Sequence, residues 1–218
     1  MFLLPQKVRL VMFDLFDTLV EMEIDYEKIR EEVKSLFVRS DSSFASWSFR
    51  PIFPSIEKAA AMSSLDKGVA LRLINERENL GCETAQPKPG ARETIEYLKL
   101  KGIYFGVFSR MNSEGTKKSL EKAGLSGFSI VLGREDAPAF KPDPAQVNLA
   151  LASLSVNSKE TIVVGDHPYD IIAGKGAGAF TVGVLTGEPS YQDLKEAGAD
   201  LVVKDLYEFL GRLKDAYN

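Results

Sequence analysis

An acidic residue follows an apolar run near the start of the chain, in the stretch VMFDLFDTLV that covers residues 11–20. The apolar residues predict a buried strand, and Asp14 stands at the end of that strand, shortly before Asp17 and Thr18. In proteins built on parallel sheets, ligands bind beyond the carboxyl ends of the strands. Asp14 is therefore a candidate nucleophile or metal ligand.

Polar residues also follow three later apolar runs. Ser109 and Arg110 follow the first of these runs, and Lys141 lies in the loop after the second, within the stretch FKPDP. Asp166 follows the third run, and Asp170 comes one helical turn later. Each of these residues on its own has an ordinary explanation. Their shared position after predicted strands indicates that one edge of a sheet brings them together with Asp14.

The chemistry of this set points to a metal and an anion. Asp14, Asp166 and Asp170 would repel one another unless a proton or a cation neutralised them, and an oxygen-rich site with open positions suits Mg²⁺. Ser109, the backbone amides of residues 109–111 and Lys141 would donate to anionic oxygens. The plainer alternative makes Asp166 a helix N-cap, Asp170 a charge in the first helical turn and Lys141 a solvated loop residue.

These residues need a sheet to bring them together, and short apolar runs predict its strands at residues 8–13, 103–108, 129–132, 161–164, 180–184 and 201–203. Helical periodicity lies between and after them, at residues 91–101, 113–123, 144–154, 168–177, 191–197 and 206–216. This alternation predicts an α/β fold with a Rossmann-like, doubly wound parallel sheet.

The interval from Glu21 to Lys88 interrupts the alternation. It shows no convincing strand, and its predicted helices cover residues 26–37, 55–62 and 64–80, with an irregular segment at 40–54. We therefore predict an α/β core domain of residues 1–20 and 89–218, with a helical cap domain of residues 21–88. The alternative is a long set of crossover helices. A mobile cap would exclude water and select substrates.

Four aromatic residues of the predicted cap have two possible roles. Phe44, Trp47, Phe49 and Phe53 could line a substrate pocket. Packing of the cap's own small core is the interpretation that we favour, because large aromatic side chains dominate the cores of small domains.

The composition excludes several classes of protein. The chain has 218 residues, a net charge of −4 and a single cysteine, Cys82. The charge gives no basic field for nucleic acid or an anionic membrane, and one cysteine cannot form an internal disulfide. No apolar segment is long enough to span a bilayer, and the N-terminus does not have the pattern of a signal peptide. We expect a soluble, cytoplasmic protein with a small-molecule substrate, and its oligomeric state stays open.

The pattern of motifs resembles that of one known superfamily. An aspartate after the first strand, a serine after the second, a lysine in a later loop and then GDxxxD, here GDHPYD at residues 165–170, are typical of haloacid dehalogenase-like (HAD) hydrolases. The stretches PKPGARETIEYLKLKG and VVGDHPYDIIAGKGAGAFTVGVLTG are also similar to the family. The helical interval has the position of the family's C1 cap. The chain resembles members of the phosphoglycolate phosphatase type.

The resemblance implies a role for each site residue. Asp14 would attack phosphorus and become an aspartyl-phosphate, with Lys141 as the second catalytic residue. Mg²⁺ would be held by Asp14, Asp166, Asp170 and the backbone carbonyl of Phe16. The substrate's phosphate would be bound by Thr18, Ser109, Arg110 and Lys141. The implied reaction is hydrolysis of a small phosphorylated metabolite.

One residue departs from the family pattern. Phe16 occupies the place of a second aspartate that acts as general acid and base, a role that contributes about 10²–10⁴-fold to a rate. Asp17 is one residue out of register, and whether Asp17 or a cap residue replaces the missing acid stays open.

The departure leaves other functions possible. A 2-haloacid dehalogenase or a phosphonatase-like hydrolase needs no such acid, and a domain that only binds a phosphorylated ligand or a protein partner is a further alternative. The GDxxxD motif favours the Mg²⁺-dependent phosphatase, because the dehalogenases of the superfamily lack both the motif and the metal.

Overall fold

Short apolar segments form the strands of this protein. The structure is a computed structural model that describes residues 4–217, so residues 1–3 and 218 of the predicted core domain lie outside the described residues. The strands are β1 (Leu10–Phe13), β2 (Val20–Glu21), β3 (Gln86–Pro87), β4 (Tyr104–Phe108), β5 (Ile130–Leu132), β6 (Thr161–Gly165), β7 (Phe180–Val184) and β8 (Leu201–Val203).

Six of these strands form one parallel sheet in the order β5-β4-β1-β6-β7-β8. Strand β1 lies between β4 and β6, with Phe13 opposite Val107 on one side and Val164 on the other. From β1 the chain builds the β4 side of the sheet first and then returns to build the β6 side. The strand order therefore reverses beside β1, and the crevice at such a switch point is where doubly wound sheets bind ligands.

Nine helices accompany these strands within residues 4–217. They are α1 (Tyr26–Ser40), α2 (Ile52–Met62), α3 (Lys67–Gly81), α4 (Ala91–Leu100), α5 (Ser113–Lys122), α6 (Ala145–Leu154), α7 (Pro168–Gly176), α8 (Tyr191–Glu196) and α9 (Leu206–Tyr217). Gly124, which follows α5 with a φ of 66°, adopts the left-handed conformation that commonly ends a helix. Across the described residues, the helices lack the combination of length and apolar character that a bilayer span requires.

The observed elements confirm the predicted α/β class and its parallel sheet. The strands begin and end within two residues of their predicted positions, and β1 and β6 are buried along their whole length, as expected for strands covered on both faces. The prediction of no strand between Glu21 and Lys88 was wrong, because β2 and β3 pair antiparallel there. Two-residue strands are too short to show an alternating pattern in the sequence.

The irregular segment predicted at residues 40–54 contains more structure than expected. A 3₁₀ turn covers Ser42–Ser46, and α2 begins at Ile52, three residues before its predicted start. Pro51 immediately precedes the first residue of α2. The predicted start was too late, because Pro54 lies within the first turn of α2, where proline is tolerated.

The chain divides into two compact units. One comprises the residues up to Met22 together with those from Glu83 onward, and the other is Glu23–Cys82. The second unit contains α1, α2 and α3, and buried side chains of all three helices form its core together with Phe44 and Phe49. Trp47 and Phe53 pack against that core in partly buried positions, which confirms the packing interpretation of these aromatic residues. The role of residues 21–88 as a cap stays a prediction.

Candidate active site

Asp14 is the first residue after β1, and the sheet fixes its position. Its backbone N–H donates to the carbonyl oxygen of Val164 at 2.9 Å, which continues the ladder between β1 and β6. Only 6% of the residue is exposed. Burial of the four apolar residues of β1 therefore places a carboxylate at the switch point of the sheet.

Three carboxylates meet at this edge. Asp14, Asp166 and Asp170 each offer an oxygen atom, and these atoms lie within 4.8 Å of one another. All three residues are buried. The structure thus brings together the acidic residues that the sequence analysis proposed as metal ligands.

A buried ammonium group lies between two of these carboxylates. The Nζ atom of Lys141 donates to Oδ1 of Asp170 at 2.6 Å and also to Oδ1 of Asp14. It stands 4.5 Å from the centre of the Phe108 ring, and Lys141 is 4% exposed. The prediction that Lys141 joins the site is consistent with this placement, and the alternative of a solvated loop lysine is wrong.

The side chain of Asp166 is held from two sides. The Thr18 hydroxyl donates to Oδ1 of Asp166 at 2.8 Å, and Thr18 is fully buried. Gly187 lies so close that a Cβ atom at this position would overlap the Asp166 carboxylate. Thr18 thus orients a carboxylate in this structure, and its predicted contact with a substrate phosphate stays a prediction.

The beginning of α7 settles the alternative roles of the GDHPYD residues. His167, not Asp166, is the N-cap of the helix, and its Nδ1 atom accepts from the backbone N–H of Tyr169 at 3.1 Å. Oδ2 of Asp170 accepts from the backbone N–H of His167 at 2.9 Å, which completes a capping box. Asp166 therefore does not cap the helix, whereas Asp170 both supports the cap and faces Lys141.

The electrostatics of the cluster show an excess of negative charge. Burial raises the pKa of Asp166 to about 9, and the carboxylates of Asp14 and Asp170 act in the same direction. Burial also raises the pKa of Asp14 to about 6, against the opposing effect of the Lys141 ammonium. Burial alone would lower the pKa of Lys141, but Asp14 and Asp170 together raise it. One ammonium therefore does not neutralise the three carboxylates.

The donor set fits a hard divalent cation. Carboxylate oxygens are the ligands that Mg²⁺ prefers, and a double positive charge would remove the repulsion that raises the pKa of Asp166. Asp14, Asp166 and Asp170 are the side chains that would hold such an ion. The backbone carbonyl of Phe16 as a further ligand stays a prediction.

Ser109 is the first residue after β4 and is hydrogen-bonded to the neighbouring loops. Its backbone N–H donates to the carbonyl of Leu132 at 2.8 Å, and its hydroxyl accepts from the backbone N–H of Met111 at 3.1 Å. The amides of Ser109 and Met111 thus have partners inside the protein, so the expectation that they are exposed donors was wrong for this conformation. The hydroxyl remains a candidate phosphate ligand.

Two polar residues that the sequence analysis missed hold these loops together. The Nε2 atom of Gln146 donates to the carbonyl oxygens of Ser109 and Gly133, each at 2.9 Å. Arg134 donates through Nη1 to the carbonyl oxygen of Arg110 at 2.7 Å. Gln146 is fully buried and Arg134 is 8% exposed. A polar residue in the otherwise apolar face of α6 was the only signal in the sequence for Gln146.

Arg110 lies on an outer layer of the site. Its guanidinium carbon is 5.1 Å from the centre of the Tyr169 ring and 5.7 Å from the centre of the Phe140 ring. All three residues are partly buried. The predicted contact of Arg110 with a phosphate stays a prediction, and its position over two aromatic rings was not anticipated.

The structure supplies no acid at the position of Phe16. Asp17 adopts a left-handed conformation with a φ of 61°, and its Oδ1 atom lies 3.4 Å from the Nζ atom of Lys88. Its backbone carbonyl accepts from the Thr186 hydroxyl at 2.6 Å. Burial raises the pKa of Asp17, and Lys88 acts against that effect. The Asp17 carboxylate is thus engaged by Lys88, as expected for a residue one position out of register.

Comparison with known proteins identifies one matching family and several similar proteins. The profile of the haloacid dehalogenase-like hydrolase family matches residues 11–184. A phosphoglycolate phosphatase of Haemophilus influenzae is 32% identical over 137 residues, which are 62% of this chain and 61% of that protein. The pyrophosphatase PpaX of Oceanobacillus iheyensis is 25% identical over 215 residues, which are 96% of this chain and 99% of that protein.

A solved structure shows the same fold. The crystal structure of CbbY from Rhodobacter sphaeroides in complex with phosphate superposes with a TM-score of 0.70 at 20% sequence identity, and the match covers 95% of this chain and 99% of that chain. The matched profile includes all of β1 except Leu10, the Ser109 and Lys141 loops and the GDHPYD motif, so the family assignment and the geometry concern the same residues. The chain belongs to the haloacid dehalogenase-like hydrolase family.

Proposed function

We propose that this protein is a Mg²⁺-dependent phosphatase that hydrolyses a small phosphorylated metabolite through an aspartyl-phosphate on Asp14. One observation carries the proposal: a strand-end aspartate is buried beside Asp166, Asp170 and the ammonium of Lys141. The names of the relatives, which include phosphatases and a pyrophosphatase, support the same class of reaction. The segment of residues 21–88 is proposed to serve as the family's C1 cap.

The nucleophile is the carboxylate of Asp14. In the first step an oxygen of Asp14 forms a bond to phosphorus as the bond from phosphorus to the leaving oxygen breaks. In the second step water attacks the same phosphorus, which releases inorganic phosphate and restores the carboxylate. Carboxylates form covalent intermediates of this kind in other phosphate-transferring enzymes.

The remaining side chains position and neutralise the phosphoryl group. Lys141 holds Asp14 through a charge-assisted hydrogen bond and places a positive charge where phosphoryl oxygens accumulate negative charge. Ser109 is proposed to add a hydroxyl group at the same edge of the sheet, and Thr18 orients the Asp166 carboxylate. A bound Mg²⁺ would neutralise charge on Asp14, Asp166 and Asp170 and on the substrate's phosphoryl oxygens.

The missing acid restricts the substrate. Phe16 cannot give a proton to the leaving oxygen, and the Asp17 carboxylate lies beside Lys88. Substrates whose leaving group is stable as an anion should therefore react fastest. Phenolates and phosphate itself are such leaving groups, whereas a simple alkoxide is not.

The test is phosphate release from 4-nitrophenyl phosphate, pyrophosphate and phosphoglycolate, each with Mg²⁺ and with a chelator. We expect turnover that requires Mg²⁺ and that Asp14→Asn reduces by about 10⁴-fold or more, because a neutral amide is a poor nucleophile. Asp215→Asn is the matched control, since this carboxylate is exposed on α9. Activity that survives Asp14→Asn in purified protein would exclude the mechanism.

Phe16 favours a second candidate, a hydrolase whose leaving group needs no proton. In a 2-haloacid dehalogenase the aspartate displaces halide from carbon, and no acid takes part. This candidate predicts chloride release from 2-chloropropionate without added metal. The buried carboxylate cluster is the observation against it, because displacement of halide has no use for three carboxylates at one point.

A further inference from the structure

Lys88 lies where the chain re-enters the α/β unit, directly after β3, and its ammonium group is largely enclosed. Only 14% of its side chain is exposed. The Nζ atom donates to Oδ1 of Asp17 and to the carbonyl oxygen of Thr186, each at 3.4 Å. A lysine that serves only as a surface charge keeps its ammonium group in water. Lys88 instead contacts two loops that are 169 residues apart in the chain.

The two loops are also joined to each other and to the segment that follows β3. The Thr186 hydroxyl donates to the backbone carbonyl of Asp17 at 2.6 Å. The backbone N–H of Lys88 donates to the carbonyl oxygen of Leu19 at 2.9 Å. Three segments that follow different strands therefore hold one another in place. We call Asp17, Lys88 and Thr186 the clamp residues.

The clamp residues are sequence neighbours of the two supports of Asp166. Thr18 follows Asp17 and donates its hydroxyl to Oδ1 of Asp166 at 2.8 Å. Gly187 follows Thr186 and lies so close to Oδ2 of Asp166 that an added Cβ atom would overlap this oxygen. One loop thus bounds each oxygen of the carboxylate. A change in the distance between the loops would therefore shift the carboxylate or allow it to rotate.

The turn after β1 depends on contacts from outside. Asp17 has a φ of 61°, a left-handed conformation that costs free energy in residues other than glycine. Such conformations persist only where the surrounding structure enforces them. Lys88 binds the side chain of Asp17 and Thr186 binds its carbonyl group, so the clamp residues supply contacts of this kind.

We propose that Lys88 is a positioning residue for the metal ligand Asp166, and that it acts through the two loops without touching the ion or the substrate. The inference rests on the proposed function, because it requires that Asp166 binds Mg²⁺. Residues that contact a metal ligand directly typically contribute about 10–100-fold to metal affinity. Lys88 is one contact further from Asp166 than Thr18 is, so we expect a smaller contribution of about 3–10-fold.

The charge of Lys88 gives the two possible roles opposite signs. An ammonium group near a cation site repels the ion, so loss of the charge alone should strengthen Mg²⁺ binding. Loss of a positioning contact should weaken it. Lys88→Met removes the charge and keeps most of the length of the side chain. The direction in which its Mg²⁺ affinity changes therefore separates positioning from a simple effect of charge.

Calorimetric titration of the metal-free protein with Mg²⁺ at one pH tests the proposal. We expect Lys88→Met to bind Mg²⁺ about 3–10-fold more weakly than the wild type, and Lys88→Arg to recover part of the loss. Thr18→Val removes the direct contact with Asp166 and should weaken binding by about 10–100-fold. The matched control is Lys204→Met, which removes an exposed lysine directly after β8 and should not weaken binding.

Thr186→Val tests the clamp without a change of charge. Valine has nearly the shape of threonine but lacks the hydroxyl that donates to Asp17, so Mg²⁺ binding should weaken by about 2–5-fold. Circular dichroism shows whether each variant folds. If Lys88→Met does not fold, Thr186→Val and Lys88→Arg decide, and wild-type affinity in both would overturn the proposal.

The outcomes also separate this inference from the proposed function. Mg²⁺ binding by folded Lys88→Met that equals or exceeds that of the wild type would overturn the inference alone, even if the variant were less stable. A wild-type protein that does not bind Mg²⁺ would contradict the inference and the proposed function together. Weaker binding in Lys88→Met and Thr186→Val, with Lys204→Met unchanged, would establish the positioning role.

Discussion

The core of the helical unit and the strand-end cluster of the α/β unit are both buried, but they bury opposite kinds of side chain. In the helical unit, the Phe37 ring lies 5.6 Å from the Phe44 ring and 5.3 Å from the Phe49 ring. In the cluster, the buried groups are Asp14 and the charged side chains around it. Burial of apolar rings stabilises a fold, whereas burial of like charges destabilises it. The contrast separates residues kept for stability from those kept for chemistry.

The largest effect on stability should come from the helical unit. Phe37→Ala removes a fully buried ring that contacts two others, and it should lower the free energy of unfolding of that unit by about 3–5 kcal/mol. Urea denaturation followed by circular dichroism measures the change. The matched control is Trp47→Phe, which keeps an aromatic side chain at the partly buried edge of the same core. A loss below about 1 kcal/mol for Phe37→Ala would contradict the role of the ring.

Replacing a carboxylate of the cluster by a neutral side chain should raise the free energy of unfolding, whereas Phe37→Ala lowers it. The pKa of Asp166 in the folded protein is raised to about 9, above its value in the unfolded chain, so the ionised group favours unfolding once the pH exceeds the unfolded pKa. At pH 8 without metal, Asp166→Asn should therefore raise the free energy of unfolding by about 1 kcal/mol or more, since a shift of one pKa unit corresponds to about 1.4 kcal/mol. The amide oxygen can still accept from Thr18.

Thermal denaturation of the metal-free protein tests whether Asp166→Asn stabilises it. Asp215→Asn serves as control again and should leave the midpoint unchanged. Added Mg²⁺ should stabilise the parent protein and have little effect on Asp166→Asn, because one ligand is lost. A variant less stable than its parent in the absence of metal would show that the cluster supports the fold after all.

The affinity for Mg²⁺ should rise with pH. The Asp166 carboxyl must lose its proton to bind a cation, and its pKa in the metal-free protein is about 9. For a single group of this kind the apparent affinity rises about 50-fold between pH 7 and pH 9, with release of about one proton per ion bound at pH 7. Calorimetry in buffers of different ionisation enthalpy counts the protons. An affinity that is independent of pH over this range would contradict the assignment of Asp166 as a ligand.

The smallest effect is expected at Asp17. Asp17→Gly has two opposing effects on stability. Glycine adopts the left-handed conformation of this position without strain, which stabilises the protein. The loss of the ion pair with Lys88 destabilises it by at most about 1 kcal/mol. Turnover of 4-nitrophenyl phosphate should stay within about threefold, since the Asp17 carboxylate contacts Lys88. A loss of about 10²-fold or more would instead identify Asp17 as the acid that replaces the one missing at Phe16.

The sequence predicted the sheet and the acidic cluster because both depend on strong local patterns. Buried parallel strands require continuous apolar runs, and Asp14 and Asp166 each follow such a run directly. Asp170 was predicted to join them because it lies one helical turn after Asp166. The topology then fixes which strand ends are neighbours, and that step needed only the alternation of strands and helices.

Long-range polar contacts were beyond prediction. Nothing near Gln146 in the sequence specifies the carbonyl groups that its amide reaches, because those lie 37 and 13 residues away. The cap of α7 was missed for a different reason. Aspartate is a more common N-cap than histidine, and only the three-dimensional contact of Asp170 with the His167 amide shows where the helix begins.

The two oxygen atoms of Asp170 have separate partners, one the amide that opens α7 and the other the ammonium of Lys141. A substitution at this position would therefore fray a helix and disturb the reacting centre at the same moment. In a descendant that had abandoned catalysis, loss of this aspartate would still remove a helix cap, which costs about 0.5–2 kcal/mol. Its presence in a relative is accordingly poor evidence of activity, and Asp14, which supports no helix, is the residue to inspect.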